Sequence, residues 1–194
     1  MSRHIASTAA RLFAERGYDA TSVREIVEAA GVTKPTLYYY FRSKEGLAQA
    51  LLTDPLNALA ETMRQIERET ANPVVALERI LEAQLEFFRE DPDRGRFIFA
   101  MIFGPLATGL AHMLARFKCE SNDCMSGIGK RLTEAGIVEP SKRDAFVLSC
   151  RGILMASTLA YLYHDQELEP GLPNRLVENL LRGFATREWA ESGS

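Results

Sequence analysis

Residues 31–47 read GVTKPTLYYYFRSKEGL, a stretch that sets three consecutive tyrosines among basic residues. No regular secondary structure hides three successive side chains on one face, because a helix turns by about 100° per residue and a strand alternates. On a helix, Leu37 and Phe41 share the buried side, Tyr38 and Tyr39 point outward, and the third tyrosine lies nearer the core edge. At least one ring is therefore predicted to face solvent or a binding partner.

The residues around this stretch complete a helix-turn-helix pattern. Apolar residues recur at helical spacing in a first helix, and Gly17 is placed to end it. Thr21 is a suitable N-cap for a short second helix, Gly31 forms the turn, and Thr33 caps the third helix. Pro35 falls in the first turn of that third helix, where a missing N–H has no cost. Two short helices around a glycine turn, packed on a longer helix, predict a helix-turn-helix head.

The outward side of the third helix carries groups that suit a DNA-binding surface. Phenolic hydroxyls donate to phosphates, rings pack on sugars and thymine methyl groups, and the Thr36 hydroxyl can do either. Lys34 and Lys44 supply positive charge for the nucleic-acid backbone. Residues 1–50 hold seven Lys or Arg and five Asp or Glu, whereas the remaining residues hold 16 and 21, so a weakly basic head precedes an acidic body. The alternative is that all three tyrosines pack in a core or a dimer contact.

The stretch TSVREIVEAAGVTKPTLYYYFRSKEGL resembles the DNA-binding segment of the tetracycline-repressor (TetR) family of bacterial regulators. The shared pattern is a capped Thr, a helix ending in Ala-Gly-Val, a Thr-Leu-Tyr-x-x-Phe helix and Ser-Lys-Glu-x-Leu, and the likeness covers about residues 5–52. In place of the long basic arm of some relatives, Arg3 and His4 are expected to contact the minor groove or phosphates. The resemblance implies DNA-facing roles for Arg24, Thr33, Lys34, Pro35, Thr36, Tyr38, Tyr39 and Lys44.

The rest of the chain predicts an all-α protein of about nine helices, because no strand-like alternation holds for long. The fourth helix is expected over residues 43–69 with a kink at Pro55, and the ninth over residues 173–190. We expect residues 1–48 to form the helix-turn-helix DNA-binding domain. Residues 49–194 are expected to form a helical effector-binding and dimerisation domain.

Residues 97–115 include no Asp, Glu, Lys or Arg, and their number would suffice to span a bilayer. Gly104 and Pro105 interrupt the stretch and predict a helix break there. We therefore expect a short sixth helix over residues 97–103, and no membrane span. The absence of a signal-peptide pattern and the odd number of cysteines favour a cytoplasmic protein.

The eighth helix is apolar almost all round. Between Asp144 and Asp165 the only formally charged residue is Arg151, and such a helix needs to be buried on more than one side. We expect a two-fold homodimer in which helices eight and nine pack on their copies; a central helix within a monomer is the alternative. Two heads about 34–36 Å apart would reach successive major grooves of a near-palindromic double-stranded DNA operator. The predicted interface residues are Ser149, Gly152, Ala156, Ala160, Leu176, Leu180, Leu181 and Phe184.

The middle helices are rich in aromatic and sulfur-containing side chains, which suits a chamber for a small, largely apolar effector. The resemblance supports this expectation, because TetR-type proteins usually hold an effector between helices four and eight. A DNA-binding protein that acts through a protein partner, with no effector, is an alternative. The predicted chamber residues are Gln84, Phe88, Phe99, Met101, Phe103, His112, Phe117, Met125, Met155 and Tyr161.

A metal or redox sensor at Cys119 and Cys124 is a further alternative. On a helix, the spacing of these two residues sets the thiols about 140° apart, which argues against a shared metal ion or a disulfide. The three histidines lie far apart in the sequence, and none has a motif-placed nucleophile or carboxylate beside it. We therefore expect a regulator of the repressor type rather than an enzyme, with no cofactor and no metal site.

Overall fold

The computed structural model describes residues 1–103 and 108–184, apart from the side chains of residues 108–111 and 113. Over this part of the chain there are nine α-helices, one short 3-10 helix at Pro140–Lys142 and no strand, so the predicted all-α class is confirmed. The α-helices are α1 (Ser2–Arg16), α2 (Val23–Ala30), α3 (Lys34–Phe41), α4 (Lys44–Glu69), α5 (Pro73–Glu90), α6 (Pro92–Phe103), α7 (Thr108–Glu134), α8 (Arg143–Tyr163) and α9 (Leu172–Phe184).

Helix α6 is longer than predicted. It begins at Pro92 rather than near residue 97, because the Asp91 carboxylate accepts a hydrogen bond from the backbone N–H of Arg94 at 2.9 Å. Asp91 thus caps the helix, and Pro92 takes a first-turn position that needs no N–H donor. The expected break at Gly104 and Pro105 lies outside the described residues, which stop at the end of α6 (Phe103) and resume at the start of α7 (Thr108). The predicted end of α9 at residue 190 lies outside the described residues.

The chain packs as two units. The first comprises Met1–Ala58 and Phe88–Lys118, and the second comprises Leu59–Phe87 and the residues from Cys119 onward. This division follows packing, whereas the predicted boundary after residue 48 is one of function and stays a prediction.

In the first unit, α1 packs chiefly against α6 and α2. The side chains of Ile5, Phe13, Ile26, Leu37 and Phe97 are completely buried there. Burial of one such side chain contributes about 1.5–3 kcal/mol. This core fixes the helix-turn-helix head and leaves the opposite side of α3 in solvent.

In the second unit, α7 is tied to the C-terminal end of α4 by Arg131. Its guanidinium donates to the backbone carbonyls of Glu67 at 2.6 Å, Thr70 at 2.6 Å and Ala71 at 2.8 Å. The last carbonyls of a helix have no partner within the helix, so a planar five-donor side chain is well suited to satisfy them. Arg131 therefore closes α4 from outside.

Within the part of its own chain that the structure describes, helix α8 is covered on one side only. Its buried residues repeat every four positions, which makes a single stripe. Residues 140–163 are apolar and long enough to cross a membrane by length and composition, yet only 28% of the most apolar window is buried. The expectation of burial on more than one side is thus not met by the chain alone. The buried residues are Phe146, Cys150, Leu154, Thr158 and Leu162.

Candidate nucleic-acid interface and effector region

The start of α2 is fixed by a reciprocal pair of hydrogen bonds. The Ser22 hydroxyl accepts from the backbone N–H of Glu25 at 3.2 Å, and the Glu25 carboxylate accepts from the backbone N–H of Ser22 at 2.7 Å. The prediction of Thr21 as the cap is wrong by one residue. Thr21 is buried, and its hydroxyl instead donates to the carbonyl of Gly17 at 2.8 Å. The Ser-x-x-Glu spacing, a capping-box pattern, is the sequence signal that distinguishes Ser22.

Helix α3 begins at the predicted cap. The Thr33 hydroxyl accepts from the backbone N–H of Thr36 at 3.4 Å, and the two threonine hydroxyl oxygens lie 2.9 Å apart. Pro35 is exposed in the first turn. Thr33 therefore caps α3 in the absence of DNA. The half-buried Thr36 has its hydroxyl oriented toward the Thr33 hydroxyl.

The three tyrosines form an exposed aromatic surface. Tyr39 is 82% exposed, and Tyr38 and Tyr40 are 44% and 43% exposed, while Leu37 is completely buried. Tyr39 points directly away from the core, so its two neighbours flank it at similar angles. Tyr40 is therefore no nearer the core than Tyr38, contrary to the prediction, and it belongs to the same surface. The rings of Tyr39 and Tyr40 meet edge to face, 5.1 Å between centroids. We call Tyr38, Tyr39 and Tyr40 the tyrosine face.

The basic residues expected at the DNA surface differ in their surroundings. Arg24 is exposed and pairs with Glu28 at 2.7 Å, and this hydrogen bond raises the pKa of Arg24. Lys34 is exposed, with no ion pair to the described residues. Lys44 is half-buried, with its ammonium 4.2 Å from the ring centroid of Tyr18, and burial lowers the pKa of Lys44. Lys44 thus also holds the start of α4 against the loop between α1 and α2.

The two residues expected in place of a basic arm separate in the structure. The Nε2 atom of His4 lies 3.1 Å from the carbonyl oxygen of Ala30, at the end of α2. His4 therefore links the start of α1 to the turn before α3. Arg3 is exposed and keeps its expected role as a prediction.

The predicted chamber residues fall in both packing units. In the first unit, Phe88, Phe99 and Phe103 form a row of rings with centroids 5.7 and 6.0 Å apart. In the second, the Gln84 amide lies 3.4 Å from the Met63 sulfur, and Met125 is buried. One chamber lined by all ten residues therefore stays a prediction. The remaining first-unit candidates are Met101, His112 and Phe117, and the remaining second-unit candidates are Met155 and Tyr161.

Exposure separates these candidates further. Phe103, His112 and Met155 are exposed, whereas a chamber wall needs a covered side chain. Phe117 and Tyr161 are half-buried, and Met101 is buried. Met101 lines a cavity of about 230 Å³ within the first unit, together with Phe13, Phe97 and the loop after α1. A second cavity, of about 270 Å³, lies beside the loop between α8 and α9 and is lined by none of the predicted chamber residues.

The predicted dimer residues lie on the uncovered side of α8 and on α9. Gly152 and Ala156 are exposed, and Ser149 and Ala160 are half-buried. On α9, Leu176, Leu180 and Phe184 are half-buried, whereas Leu181 is buried in its own chain and is not available to a partner. Sequence reasoning missed Leu148, which is 68% exposed and lies one turn before Gly152. It also assigned Met155, on the same side, to the effector chamber.

The cysteines have different environments. Cys119 is exposed, whereas Cys124 is buried with its thiol 3.7 Å from the carbonyl oxygen of Met63. Burial raises the pKa of Cys124 to about 12, which keeps the thiol protonated. A covered thiol with a raised pKa reacts slowly with oxidants, so the geometry disfavours the redox alternative. The metal alternative stays a hypothesis.

Comparison with known proteins agrees with this geometry. The family described as bacterial regulatory proteins, tetR family, matches residues 5–51. The HTH-type transcriptional activator FasR of Mycolicibacterium smegmatis is 37% identical over 161 residues, which cover 83% of this chain and 72% of FasR. The chain belongs to the TetR family. The predicted class of protein, a helix-turn-helix transcription regulator, is thereby confirmed.

Other TetR-family relatives match less of the sequence or only the fold. The HTH-type transcriptional repressor KstR2 of Mycobacterium tuberculosis is 42% identical over 78 residues, which cover 40% of this chain and 39% of KstR2. The solved structure of that ketosteroid regulator matches 96% of this chain and 95% of its own, with a TM-score of 0.75 and 22% identity. The structure of FadR from Bacillus subtilis in complex with stearoyl-CoA covers 95% of this chain and 100% of its own, with a TM-score of 0.71 and 20% identity.

Proposed function

We propose that this TetR-family chain is a homodimeric repressor that binds a near-palindromic operator and leaves it when an apolar effector binds. The observation that carries the proposal is the tyrosine face, three neighbouring rings in solvent on the second helix of a helix-turn-helix. Rings kept out of a core need another partner, and sugars, phosphates and thymine methyl groups match both their apolar and their hydroxyl parts.

The head supports DNA binding through charge as well as through rings. Lys34, at the first turn of α3, and Arg24, at the first turn of α2, are both exposed. The exposed ion pair between Arg24 and Glu28 is weak, so a DNA phosphate can displace the carboxylate from the guanidinium. Positive charge of this kind supplies affinity for any duplex, whereas contacts by Thr36 and the tyrosine face to base edges supply sequence preference.

The uncovered side of α8 supports the homodimer. Leu148, Met155 and Tyr163 are exposed along one helix, with the small residues Gly152 and Ala156 between them. Gly152 has open space where a side chain would lie, so another helix can approach closely. We infer that the exposed apolar side of α8, with Gly152 near its middle, packs against α8 of a second copy of the chain. A dimer also places two heads on one duplex, which is the reason for expecting a near-palindromic operator.

An apolar effector is supported by the packed rings of the half-buried Phe88 and the buried Phe99, whose centroids lie 5.7 Å apart. We propose a fatty acyl-CoA as the effector class, because FadR, which shares the fold, was solved with stearoyl-CoA. The repressor direction follows KstR2, whose sequence is 42% identical over 78 residues. FasR is named an activator, so activation of transcription is the alternative that the experiment has to distinguish from repression.

The test is a titration of a fluorescent operator duplex, selected from random sequences, with the purified protein. Stearoyl-CoA, free stearate and CoA are then added in parallel to the preformed complex. The proposal expects stearoyl-CoA to release the DNA, and expects CoA alone to have no effect. If none of the three probes releases DNA or raises the Tm, the acyl-CoA part of the proposal is wrong. If removal of the protein lowers the expression of a reporter gene controlled by the operator, the protein is an activator and the repressor part of the proposal is wrong.

A further inference from the structure

Arg42, between α3 and α4, has a backbone conformation that glycine adopts far more readily than arginine. Its φ is 63° and its ψ is −36°. The backbone N–H of Ser43 donates to the carbonyl of Phe41 at 2.7 Å, which closes a three-residue γ-turn centred on Arg42. The form of this turn with positive φ is the rarer and more strained one. A residue with a long side chain at its centre needs an explanation outside the backbone.

The surrounding chain imposes this turn whatever side chain residue 42 carries. Ser43 caps α4 by accepting a hydrogen bond from the backbone N–H of Gly46 at 2.9 Å. A Cβ atom on Gly46 would overlap the carbonyl oxygen of Phe41, so α4 starts directly against the atom that closes the γ-turn. Because the turn is fixed by its neighbours, glycine at residue 42 would relieve strain without changing the path of the chain.

The Arg42 side chain makes no polar contact that would hold the described part of the head together. It is exposed, and its guanidinium has no hydrogen bond or ion pair to any residue that the structure describes. Other arginines of the head differ, since Arg11 pairs with Glu15 and Arg16 pairs with Glu25. The charge of Arg42 is therefore available to a partner.

The position of Arg42 identifies that partner. Lys34, Tyr38 and Arg42 are four residues apart, and the backbone N–H of Arg42 donates to the Tyr38 carbonyl at 2.9 Å, as in a last helical turn. The two cations thus stand at opposite ends of the tyrosine face. Eight helical residues span about 12 Å, which is close to the width of the major groove of B-DNA, about 12 Å.

We propose that Arg42 binds a DNA phosphate at the C-terminal end of α3, across the groove from a phosphate that Lys34 contacts. The proposal rests on the proposed DNA-binding function. A guanidinium can bind a phosphate with two parallel hydrogen bonds, which a lysine does not do. The strained turn would then be retained because it places the Arg42 guanidinium at the edge of the DNA-binding surface.

The test measures DNA affinity at several salt concentrations for wild type, Arg42→Gly and Arg42→Lys, with thermal unfolding of each variant. For Arg42→Gly we expect a Tm equal to or above that of wild type. We also expect about tenfold weaker binding. The negative slope of log K against log[salt] should become shallower by about 0.9 for each phosphate that the variant no longer neutralises. Arg42→Lys should keep most of the slope. Arg11→Ala, which removes a paired arginine of the same head, serves as the control and should leave the slope unchanged.

Unchanged affinity and slope in Arg42→Gly, with wild type binding normally, would overturn the role of Arg42 and leave the proposed function intact. No complex with any duplex for wild type, at low salt, would overturn both. If Arg42→Gly unfolds at a lower temperature, Arg42→Gln replaces it, since that variant keeps most of the side-chain length and removes the charge. An Arg42→Gln variant with the wild-type slope would equally contradict the proposal.

Discussion

At the residue scale, Tyr39 decides the functional interpretation. A large side chain left in water forgoes hydrophobic stabilisation of on the order of 2 kcal/mol. Its ring makes an edge-to-face contact with the ring of Tyr40 and lies otherwise in solvent. Three adjacent tyrosines predicted an outward ring from the helical angle alone. The nearly equal exposure of Tyr38 and Tyr40 was not predicted, because it depends on how deeply Leu37 and Phe41 are buried and so on the rotation of α3 about its axis.

Replacing the outermost ring tests this surface. Tyr39→Ala should bind operator DNA about tenfold more weakly or worse, since contacts of this kind contribute about 1–3 kcal/mol. Its Tm should match that of wild type, because the ring is exposed. Val75→Ala, a change at an exposed apolar residue outside the head, is the matched control for affinity and stability. Equal affinity of Tyr39→Ala and wild type would remove the tyrosine face from the interface.

The thiols provide a second test at this scale. Cys119 is exposed, whereas Cys124 and Cys150 are buried, and burial raises the pKa of each buried thiol to about 12. With the thiol reagent DTNB at about pH 8, we expect one fast-reacting thiol per native chain and three after unfolding. Cys119→Ser should abolish the fast phase. Fast reaction of two thiols in the native protein would restore the redox-sensor alternative.

At the element scale, Arg131 shows what a helix needs beyond its own sequence. Arg131→Ala should lower the free energy of unfolding by about 1.5–3 kcal/mol, because it removes charged hydrogen bonds to three carbonyls in the last turn of α4 and in the two residues after it. Lys130→Ala is the matched control. That neighbour makes only an exposed ion pair with Glu134 at 3.7 Å, and its removal should cost less than about 0.5 kcal/mol. Equal unfolding curves for the two variants would contradict the role given to Arg131.

Helix positions were more predictable from sequence than the interactions that end the helices. Glycines, prolines and apolar spacing placed the starts of α2, α3, α4 and α9 within one or two residues, because these are local signals. The cap of α2 was placed one residue early, since both Thr21 and Ser22 suit the position and only Glu25 distinguishes them. The contact of Arg131 with residues 67–71 joins parts of the chain about 60 residues apart, and one sequence carries no local sign of it.

At the scale of the whole molecule, the bare side of α8 bears on the homodimer. Leu148→Glu should give a folded monomer with unchanged helical content, because the leucine makes little contact within its own chain. Analytical ultracentrifugation and circular dichroism measure the two quantities. Val75→Glu introduces the same charge at another exposed apolar residue and should remain dimeric. A wild-type protein that sediments as a monomer, or a dimeric Leu148→Glu variant, would contradict the α8 interface.

The effector region was the least predictable part of the molecule. Its ten predicted residues were chosen by type, and type does not determine which side of a helix faces inward. Met155, for example, was chosen as a chamber residue because it is a methionine, but it lies on the exposed side of α8 with Leu148. Phe88 and Phe99, by contrast, were within the predicted set and pack ring to ring on their covered sides.

Selection of bound duplexes from a random-sequence pool, at low salt and with the wild-type protein, tests the central claim most directly. A DNA-binding tyrosine face on a two-fold dimer predicts enrichment of a near-palindrome whose half-sites lie about 34–36 Å apart, and predicts clearly weaker enrichment with Tyr39→Ala under the same conditions. Recovery of no sequence and no complex by the wild-type protein would contradict the claim that this face of α3 binds DNA.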